Sequence, residues 1–204
     1  MGHNSKEYDR MASEIFAPIY PDIAKAIIDR TGVSGGELLD LGSGGGHIGF
    51  ALMELGDFRT TFCDISEDAL KIAEKRAGKL GVEAEYVHGD VHEMVFPDET
   101  FDLVASRGSM PFWDDQIKAF TEIFRVLRPG GKAYIGGGLG GKEHQERIHK
   151  FMDEHDTGFK CFDRSKSKAL ETAAYLDLFN ELEADYEIVD NEDEGRWFIF
   201  GKRK

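Results

Sequence analysis

The sequence is poor in cysteine and has no long apolar runs. Its two cysteines, Cys63 and Cys161, are too far apart and too few for a disulfide framework or a Cys-x-x-Cys zinc site. No apolar run approaches the roughly 18 residues that a membrane-spanning helix needs. The start of the chain, residues 2–10, is polar and charged and does not resemble a signal peptide. These absences predict a cytoplasmic protein without membrane insertion.

Positive charge is also scarce, because 39 acidic residues face 25 basic ones and the formal net charge is −14. A protein that binds phosphate backbones usually concentrates Lys and Arg, so nucleic acid is a disfavoured partner. The histidines show no convincing metal-ligand spacing, since His88 and His92 flank a strand end and His144, His149 and His155 do not align on a helix. We expect no metal, no nucleic acid, and either a monomer or a homodimer.

Strand-length apolar runs alternate with longer helical patterns, which is typical of β-α-β units. Strands are predicted at residues 37–41, 58–64, 84–88, 101–106 and 132–135. Helices are predicted at residues 5–16, 19–31, 47–55, 66–80 and 113–127, and residues 142–184 read as largely helical with a break around 157–165. Two last strands, 186–190 and 196–201, have a short acidic connector that implies an antiparallel hairpin. The chain is therefore predicted to be one α/β domain over residues 1–204, with a mostly parallel sheet.

A cluster of glycines follows the first predicted strand. Gly42, Gly44 and Gly46 occur where the chain must turn tightly and where a ligand can approach bare backbone. Gly44, Gly46 and Gly49 also satisfy the dinucleotide pattern G-x-G-x-x-G, and Asp64 lies 20 residues beyond Gly44, as the ribose-binding acid of an NAD protein would. The glycines alone therefore fit an NAD(P)-dependent oxidoreductase as well as other nucleotide-type cofactors.

Three features argue against NAD. Asp40, at the end of the same strand, would lie poorly beside a pyrophosphate but well beside an ammonium group. Short-chain dehydrogenases need a Tyr-x-x-x-Lys pair, and none of the six tyrosines has a lysine four residues later. The terminal hairpin also differs from the sheet ending of the common dehydrogenases. Together, these three features favour a cofactor that carries an amino acid group.

Several segments in succession resemble one enzyme family. Asp40-x-Gly42-x-Gly44-x-Gly46 looks like motif I of the class I S-adenosylmethionine (SAM) dependent methyltransferases, and residues 62–66, 89–91, 96–102 and 125–131 are similar to later motifs of that family. Among subfamilies, the ubiquinone and menaquinone type of small-molecule methyltransferase is the most similar, over about residues 37–134. The resemblance implies a three-layer α-β-α Rossmann-like fold, SAM as cofactor, S-adenosylhomocysteine as product and a small-molecule acceptor. It also implies that the helices of residues 1–34 cover the cofactor site.

The resemblance further implies which residues bind the cofactor. The backbone of residues 42–46 would hold the methionine part, Asp64 would accept hydrogen bonds from both ribose hydroxyls, and Ile65 would pack on the adenine. Asp90 would accept from the adenine amino group and Val91 would offer its backbone amide. Each position has a plainer alternative, since an aspartate at a strand end also caps turns. The full set is Tyr20, Asp40, Gly42, Ser43, Gly44, Gly46, Asp64, Ile65, Asp90, Val91 and Ser106.

The loop after the fourth predicted strand faces the transferred methyl group in that family. Here it departs from the Asn-Pro-Pro-Tyr pattern of methyltransferases that act on amino groups of nucleobases or glutamine. It offers Arg107, Ser109 and Trp113 as substrate-side candidates. Arg107 could bind a carboxylate or phosphate or form a structural ion pair, and Trp113 could line the substrate or the core.

No residue in this loop is an unambiguous general base. A non-catalytic SAM-binding protein therefore remains open beside the methyltransferase and the NAD(P)-dependent oxidoreductase. Five glycines among residues 136–141 fit either a lid with close ligand approach or a merely flexible connection.

Overall fold

The computed structural model describes residues 5–154 and 172–204. Its centre is a seven-stranded sheet in the order β3-β2-β1-β4-β5-β7-β6. β1 to β5 run parallel, and β7 is antiparallel to both β5 and β6. The strands are β1 (Gly35–Leu41), β2 (Asp57–Asp64), β3 (Glu85–His88), β4 (Phe101–Arg107), β5 (Leu127–Gly137), β6 (Asp185–Asn191) and β7 (Gly195–Gly201). This is the predicted Rossmann-like sheet with its terminal hairpin.

Seven α-helices cover the sheet in the described part of the chain. They are α1 (Ser5–Met11), α2 (Tyr20–Thr31), α3 (His47–Leu55), α4 (Glu67–Leu80), α5 (Gln116–Val126), α6 (Lys142–Glu154) and α7 (Thr172–Glu181). A π-helical turn (Ala12–Phe16) and a 3-10 turn (Ala17–Ile19) link α1 to α2. No helix among the described residues is both long and apolar enough to cross a membrane.

Alternation along the strands divides the apolar residues between two faces. Leu39 and Val104 belong to a core with α5 and α7, where Phe120 and Phe179 are fully buried. Leu38, the neighbour of Leu39, belongs to the opposite core with α2 and α3. Because side chains of a strand alternate between the two faces of a sheet, β1 and β4 each contribute to both cores. The helices therefore form a layer on each side of the sheet, as predicted.

Residues of types that favour helix ends cap α2 and α4. The Ser66 hydroxyl accepts a hydrogen bond of 3.3 Å from the Ala69 amide at the start of α4, as an N-cap serine does. Gly32 and Gly81 end α2 and α4, and each has a φ of +70°, which glycine adopts without steric cost.

The predicted helix 113–127 starts too early. Residues Met110–Phe112 form a 3-10 turn, and α5 begins only after Asp115, whose side chain accepts from the Lys118 amide at 2.9 Å. β5 also differs, since it begins at Leu127 instead of residue 132. Leu127 already pairs with Phe101 before an irregularity in the ladder, so residues 128–131, with the sequence Arg-Pro-Gly-Gly, lie within the strand.

Three parts of the sequence interpretation concern residues for which no structure is described. The break in the helical pattern at 157–165, Cys161 and His155 lie outside the described residues. Cys63, by contrast, is buried on β2, where it is an ordinary core thiol.

Candidate functional site

The glycine loop, residues 42–46, joins the carboxyl end of β1 to the start of α3. Gly42, Gly44 and Gly46 have φ values of +64°, +53° and +80°, in the left-handed region that favours glycine. A Cβ on Gly44 would meet nothing within 4 Å, whereas a Cβ on Gly42 would lie 2.5 Å from the Cβ of Ser109. Open space therefore lies over Gly44, while the loop after β4 closes over Gly42.

Backbone hydrogen bonds fasten this loop to β2. The amides of Gly42 and Ser43 donate to the Cys63 carbonyl at 2.8 and 3.1 Å, and the Gly46 amide donates to the Ser43 carbonyl at 2.8 Å. The Ser43 hydroxyl is buried and has no hydrogen-bond partner within the described structure. Because an unsatisfied buried hydroxyl is costly, its position in the loop indicates a place where a ligand can supply the missing bond.

Asp64 ends β2 beside the same loop. Its Oδ2 accepts from the Gly44 amide and its Oδ1 from the Ser66 amide, both at 2.8 Å. A carboxylate offers about four lone-pair positions, so both oxygens retain capacity for additional donors. The next residue, Ile65, is a large apolar side chain that is 68% exposed. The end of β2 thus presents polar acceptors and an apolar surface side by side.

Asp90 and Val91 follow β3. Asp90 Oδ1 accepts from the His92 amide at 2.9 Å and lies 2.6 Å from His92 Nδ1, and these bonds lower the pKa of Asp90. His92 Nε2 accepts from the Asp115 amide at 3.2 Å, so Nδ1 carries the proton and Nε2 is already engaged. Val91 is buried in the core. Asp90 is therefore a half-exposed, ionised acceptor held in place by its neighbours.

Asp40 lies beneath the loop and is almost completely buried. Its Oδ2 accepts from the Gly49 amide at 2.9 Å, and burial raises the pKa of Asp40 to about 7. A Cβ on Gly49 would lie 2.9 Å from that oxygen, so a glycine is needed there for the bond. Asp40 thus connects β1 to α3, and a contact with a cofactor ammonium stays a prediction.

The end of β4 supplies two of the three predicted substrate-side residues. Ser106 is buried, and its hydroxyl lies 2.6 Å from that of Ser109, which places Ser109 over Gly42. Arg107 is directed to the other face of the sheet. Trp113 instead lies edge-on to Phe120, with 6.2 Å between the ring centroids, and packs against the core of α5 and α7. The structure therefore brings Ser109 to the glycine loop, places Arg107 beside Phe16 and Tyr20, and places Trp113 with the core.

Tyr20 lies at the start of α2 and is buried. Its ring stacks on that of His47 at a centroid distance of 4.9 Å. The Arg107 guanidinium lies 5.6 Å from the centre of the Tyr20 ring and 4.7 Å from that of Phe16. Tyr20 thus connects the helices before β1 with both the glycine loop and the end of β4.

Sequence reasoning missed the residues that attach α1 to the glycine loop. Asp9 Oδ1 accepts from Arg76 Nη2 at 2.7 Å and lies 3.0 Å from His47 Nε2, and Arg76 also donates to the Gly45 carbonyl. We call Asp9, His47 and Arg76 the Asp9 bridge. Burial, followed by the charge of Arg76, lowers the pKa of His47 to about 4. Separations of 38 and 67 residues leave no local pattern that could have predicted these contacts.

Two of the glycines among residues 136–141, Gly136 and Gly138, closely approach backbone of the same chain. A Cβ on Gly136 would lie 2.1 Å from the Arg196 carbonyl oxygen, and one on Gly138 would lie 2.0 Å from that of Glu194. Glycine is therefore required at both positions so that β5 and the residues after it can lie against the start of β7.

Comparison with known proteins connects this geometry to a family. A family model described as a methyltransferase domain matches residues 39–135. The crystal structure of a candidate SAM-dependent methyltransferase from Methanococcus maripaludis is 36% identical, covers 100% of this chain and 98% of that one, and superposes with a TM-score of 0.87. The chain belongs to the SAM-dependent methyltransferases.

Curated relatives are similar over a smaller part of their length. The ubiquinone/menaquinone biosynthesis C-methyltransferase UbiE of Enterobacter sp. (strain 638) is 31% identical over 134 residues, which cover 63% of this chain and 53% of that protein. An uncharacterised methyltransferase of Bacillus subtilis, YdaC, is 32% identical over 110 residues, covering 53% of this chain and 60% of that protein. The chain thus spans roughly half the length of the curated relatives that it matches.

The cofactor of this methyltransferase family is SAM, and the residues at the loop fit it. The unpartnered Ser43 hydroxyl and the open space over Gly44 suit the methionine end. The remaining acceptors of Asp64 suit ribose hydroxyls, and the exposed side chain of Ile65 suits a purine face. Membership of the family also removes the dinucleotide interpretation of the glycines, whose spacing alone could not exclude NAD.

Proposed function

We propose that this methyltransferase transfers the methyl group of SAM to a small-molecule acceptor in the cytoplasm, without nucleic acid as substrate. The observation that carries this proposal is the contact between the loop after β4 and the glycine loop, where Ser109 occupies the space beside Gly42. This contact supports the proposal that substrate-side residues lie next to the methionine end of the cofactor. The net charge of −14 supports an acceptor other than nucleic acid.

SAM supplies an activated methyl group, because its sulfonium leaves as a neutral thioether when the acceptor attacks. The task of the protein is then mainly to align the acceptor and to exclude water. Tyr8 and Phe112 support the second role, since their rings meet edge to face at 6.4 Å although the side chains are 38% and 52% exposed. We infer that these rings, rather than Trp113, form the apolar wall on the acceptor side.

His47 and His92 do not supply a general base in this arrangement. His92 Nε2 already accepts a hydrogen bond, and His47 is stacked on Tyr20 and bonded to Asp9. An acceptor that reacts without strong base assistance fits such a site best. Thiols, amines near their pKa and stabilised carbanions belong to this class, whereas alcohols usually need a positioned base.

Isothermal titration calorimetry with SAM, S-adenosylhomocysteine and NADH tests the cofactor assignment. We expect both SAM and S-adenosylhomocysteine to bind and NADH not to bind. Absence of SAM binding at millimolar concentration would overturn the proposal, and NADH binding in its place would support an oxidoreductase.

A coupled assay for S-adenosylhomocysteine release then tests catalysis on a panel of thiols, amines, phenols and quinols. Turnover of at least one acceptor is expected. Binding of SAM without turnover of any acceptor would support a non-catalytic SAM-binding protein instead. Light scattering after size exclusion tests our further proposal that the protein is a monomer or a homodimer.

A further inference from the structure

Arg107 is a cation without an acidic partner in the described part of the chain. Its Nη2 donates to the Gly138 carbonyl at 3.1 Å, and its Nε is buried and has no hydrogen-bond partner there. Aromatic rings of Phe16 and Tyr20 lie at 4.7 and 5.6 Å from its guanidinium carbon. Leaving a buried donor of a charged group unpaired is costly, and the chain has an excess of acids that could have paired with it. The arrangement points to an anion from outside the described residues, and a bound ligand can supply it.

The glycine loop has few donors left for an anion. The amides of Gly42 and Ser43 donate to the Cys63 carbonyl, and that of Gly46 donates to the Ser43 carbonyl. The Gly44 amide donates to Asp64. Four of the five amides in the loop thus have acceptors already. A carboxylate beside this loop therefore needs a side-chain cation, which is how charged groups in sheltered sites are usually stabilised.

Arg76 and His47, which lie beside the loop, already have partners. Arg76 donates to Asp9 and to the Gly45 carbonyl, and His47 is held by Asp9 and Tyr20. The positive charge of Arg107 acts on the neighbouring Tyr20. Burial raises the pKa of Tyr20, and the charge of Arg107 opposes that rise. Among the described residues around the loop, Arg107 is thus the cation that has no acidic partner and keeps an unpaired donor, its Nε.

We propose that Arg107 binds a carboxylate at the methyl-transfer site, and that its first ligand is the α-carboxylate of the SAM cofactor. The proposal rests on the proposed function, since it assumes that the methionine end lies at the glycine loop. A carboxylate of the acceptor is the second possible source of the same chemistry. Fork-shaped, bidentate contact is a property of arginine that lysine lacks, so the site should select ligands that carry a carboxylate over neutral analogues.

The cofactor arm of the test compares two ligands by calorimetry. S-adenosylhomocysteine carries the α-carboxylate, whereas 5′-methylthioadenosine has the same nucleoside thioether without the amino acid. Arg107→Met should weaken S-adenosylhomocysteine binding by about tenfold or more and leave 5′-methylthioadenosine within about twofold. Arg107→Lys should fall between the wild type and Arg107→Met. Arg203→Met, which removes an exposed arginine paired with Asp185, is the control for the change in net charge.

The acceptor arm uses protein saturated with S-adenosylhomocysteine. The probes are 4-hydroxybenzoate and its uncharged counterpart 4-hydroxybenzamide, chosen because we infer that the exposed rings of Tyr8 and Phe112 form the apolar wall on the acceptor side. A loss of 4-hydroxybenzoate binding in Arg107→Met, with unchanged S-adenosylhomocysteine affinity, would assign the carboxylate to the acceptor. If Arg107→Met changes neither arm, the proposal is overturned.

Thermal unfolding of each variant shows whether it is folded at the assay temperature. If Arg107→Met is unfolded there, the comparison of Arg107→Lys with the wild type decides the question alone. The proposal is then overturned if the variant binds S-adenosylhomocysteine as tightly as the wild type does and also binds 4-hydroxybenzoate as tightly as the wild type does. The outcome is distinct from failure of the proposed function, because the wild-type protein binds S-adenosylhomocysteine whether or not Arg107 contributes.

Discussion

The Asp64 carboxylate accepts a hydrogen bond of 2.8 Å from the amide of Gly44. These residues lie on adjacent parallel strands, or directly after them, at the carboxyl edge of the sheet. The same carboxylate fixes the conformation of the glycine loop and faces the position proposed for the ribose. Loop geometry and cofactor affinity therefore depend on one side chain.

Asp64→Ala should weaken binding of S-adenosylhomocysteine by roughly 1 to 3 kcal/mol, because it removes charge-assisted bonds to the ribose. Calorimetry measures the dissociation constant. Asp57→Ala, at the opposite and exposed end of β2, is the matched control and should leave the affinity unchanged. Equal affinity of Asp64→Ala and wild type would contradict the assigned position of the ribose.

The fold could be predicted because local signals in the sequence agree with the tertiary structure. Apolar runs of strand length, a serine N-cap at Ser66 and terminal glycines at Gly32 and Gly81 each carry a short-range physical reason. The errors in the predicted element boundaries occur where a tertiary contact determines where an element begins. β5 starts early because Leu127 pairs with Phe101, and no property of the Arg-Pro-Gly-Gly segment itself indicates that partner.

The site could be predicted only where a motif is contiguous. Residues 40–46 and Asp64 meet at one edge of the sheet because the carboxyl ends of parallel strands must do so. The Asp9 bridge instead joins residues from three separate helices, so its formation depends on how α1 packs. Trp113 is a predicted substrate-side residue that the structure places elsewhere, because it packs against Phe120 in the core.

Asp9→Ala should loosen α1 from the glycine loop, because it removes the partner of both His47 and Arg76. Partly exposed charged pairs of this kind contribute about 1 kcal/mol, so we expect S-adenosylhomocysteine to dissociate roughly fivefold faster. Stopped-flow measurement of dissociation tests this, and amide hydrogen exchange over residues 5–19 should accelerate in parallel. Glu14→Ala removes an exposed acid of the same segment as a control. An unchanged dissociation rate in Asp9→Ala would show that the bridge does not restrain the cofactor.

His47 should make stability depend on pH in the acidic range. Burial lowers its pKa from 6.5 to about 4 in the folded protein, so between these values the unfolded chain binds more protons. The free energy of unfolding then rises with pH through this window, and the contribution is complete above about pH 6.5. Lowering the pH to 4 should reduce the free energy of unfolding by at most about 3 kcal/mol through His47.

Urea unfolding of the wild type and of His47→Gln at pH 4.5, 5.5 and 7.0 isolates this contribution. The raised pKa of Asp40 acts with the opposite sign in nearly the same range, because protonated Asp40 favours the folded state. Both proteins retain Asp40, so its effect cancels in the difference between them. The stability advantage of the wild type over His47→Gln should shrink as the pH falls. A difference that stays constant with pH would refute the buried, neutral state of His47.

Two glycine-to-alanine substitutions should change stability in opposite directions. Gly136→Ala places a methyl group 2.1 Å from the Arg196 carbonyl oxygen and 2.9 Å from the Trp197 Cα. Both atoms belong to the backbone of β7 and cannot rotate away, so the sheet must shift at a cost of about 2 to 3 kcal/mol. Gly78→Ala lies on the exposed side of α4, where an added Cβ meets nothing within 4 Å. Alanine there should stabilise the helix by about 0.5 to 1 kcal/mol. Urea unfolding measures both free energies. If Gly136→Ala were as stable as the wild type, the glycines of residues 136–141 would serve chain flexibility rather than close packing against β7.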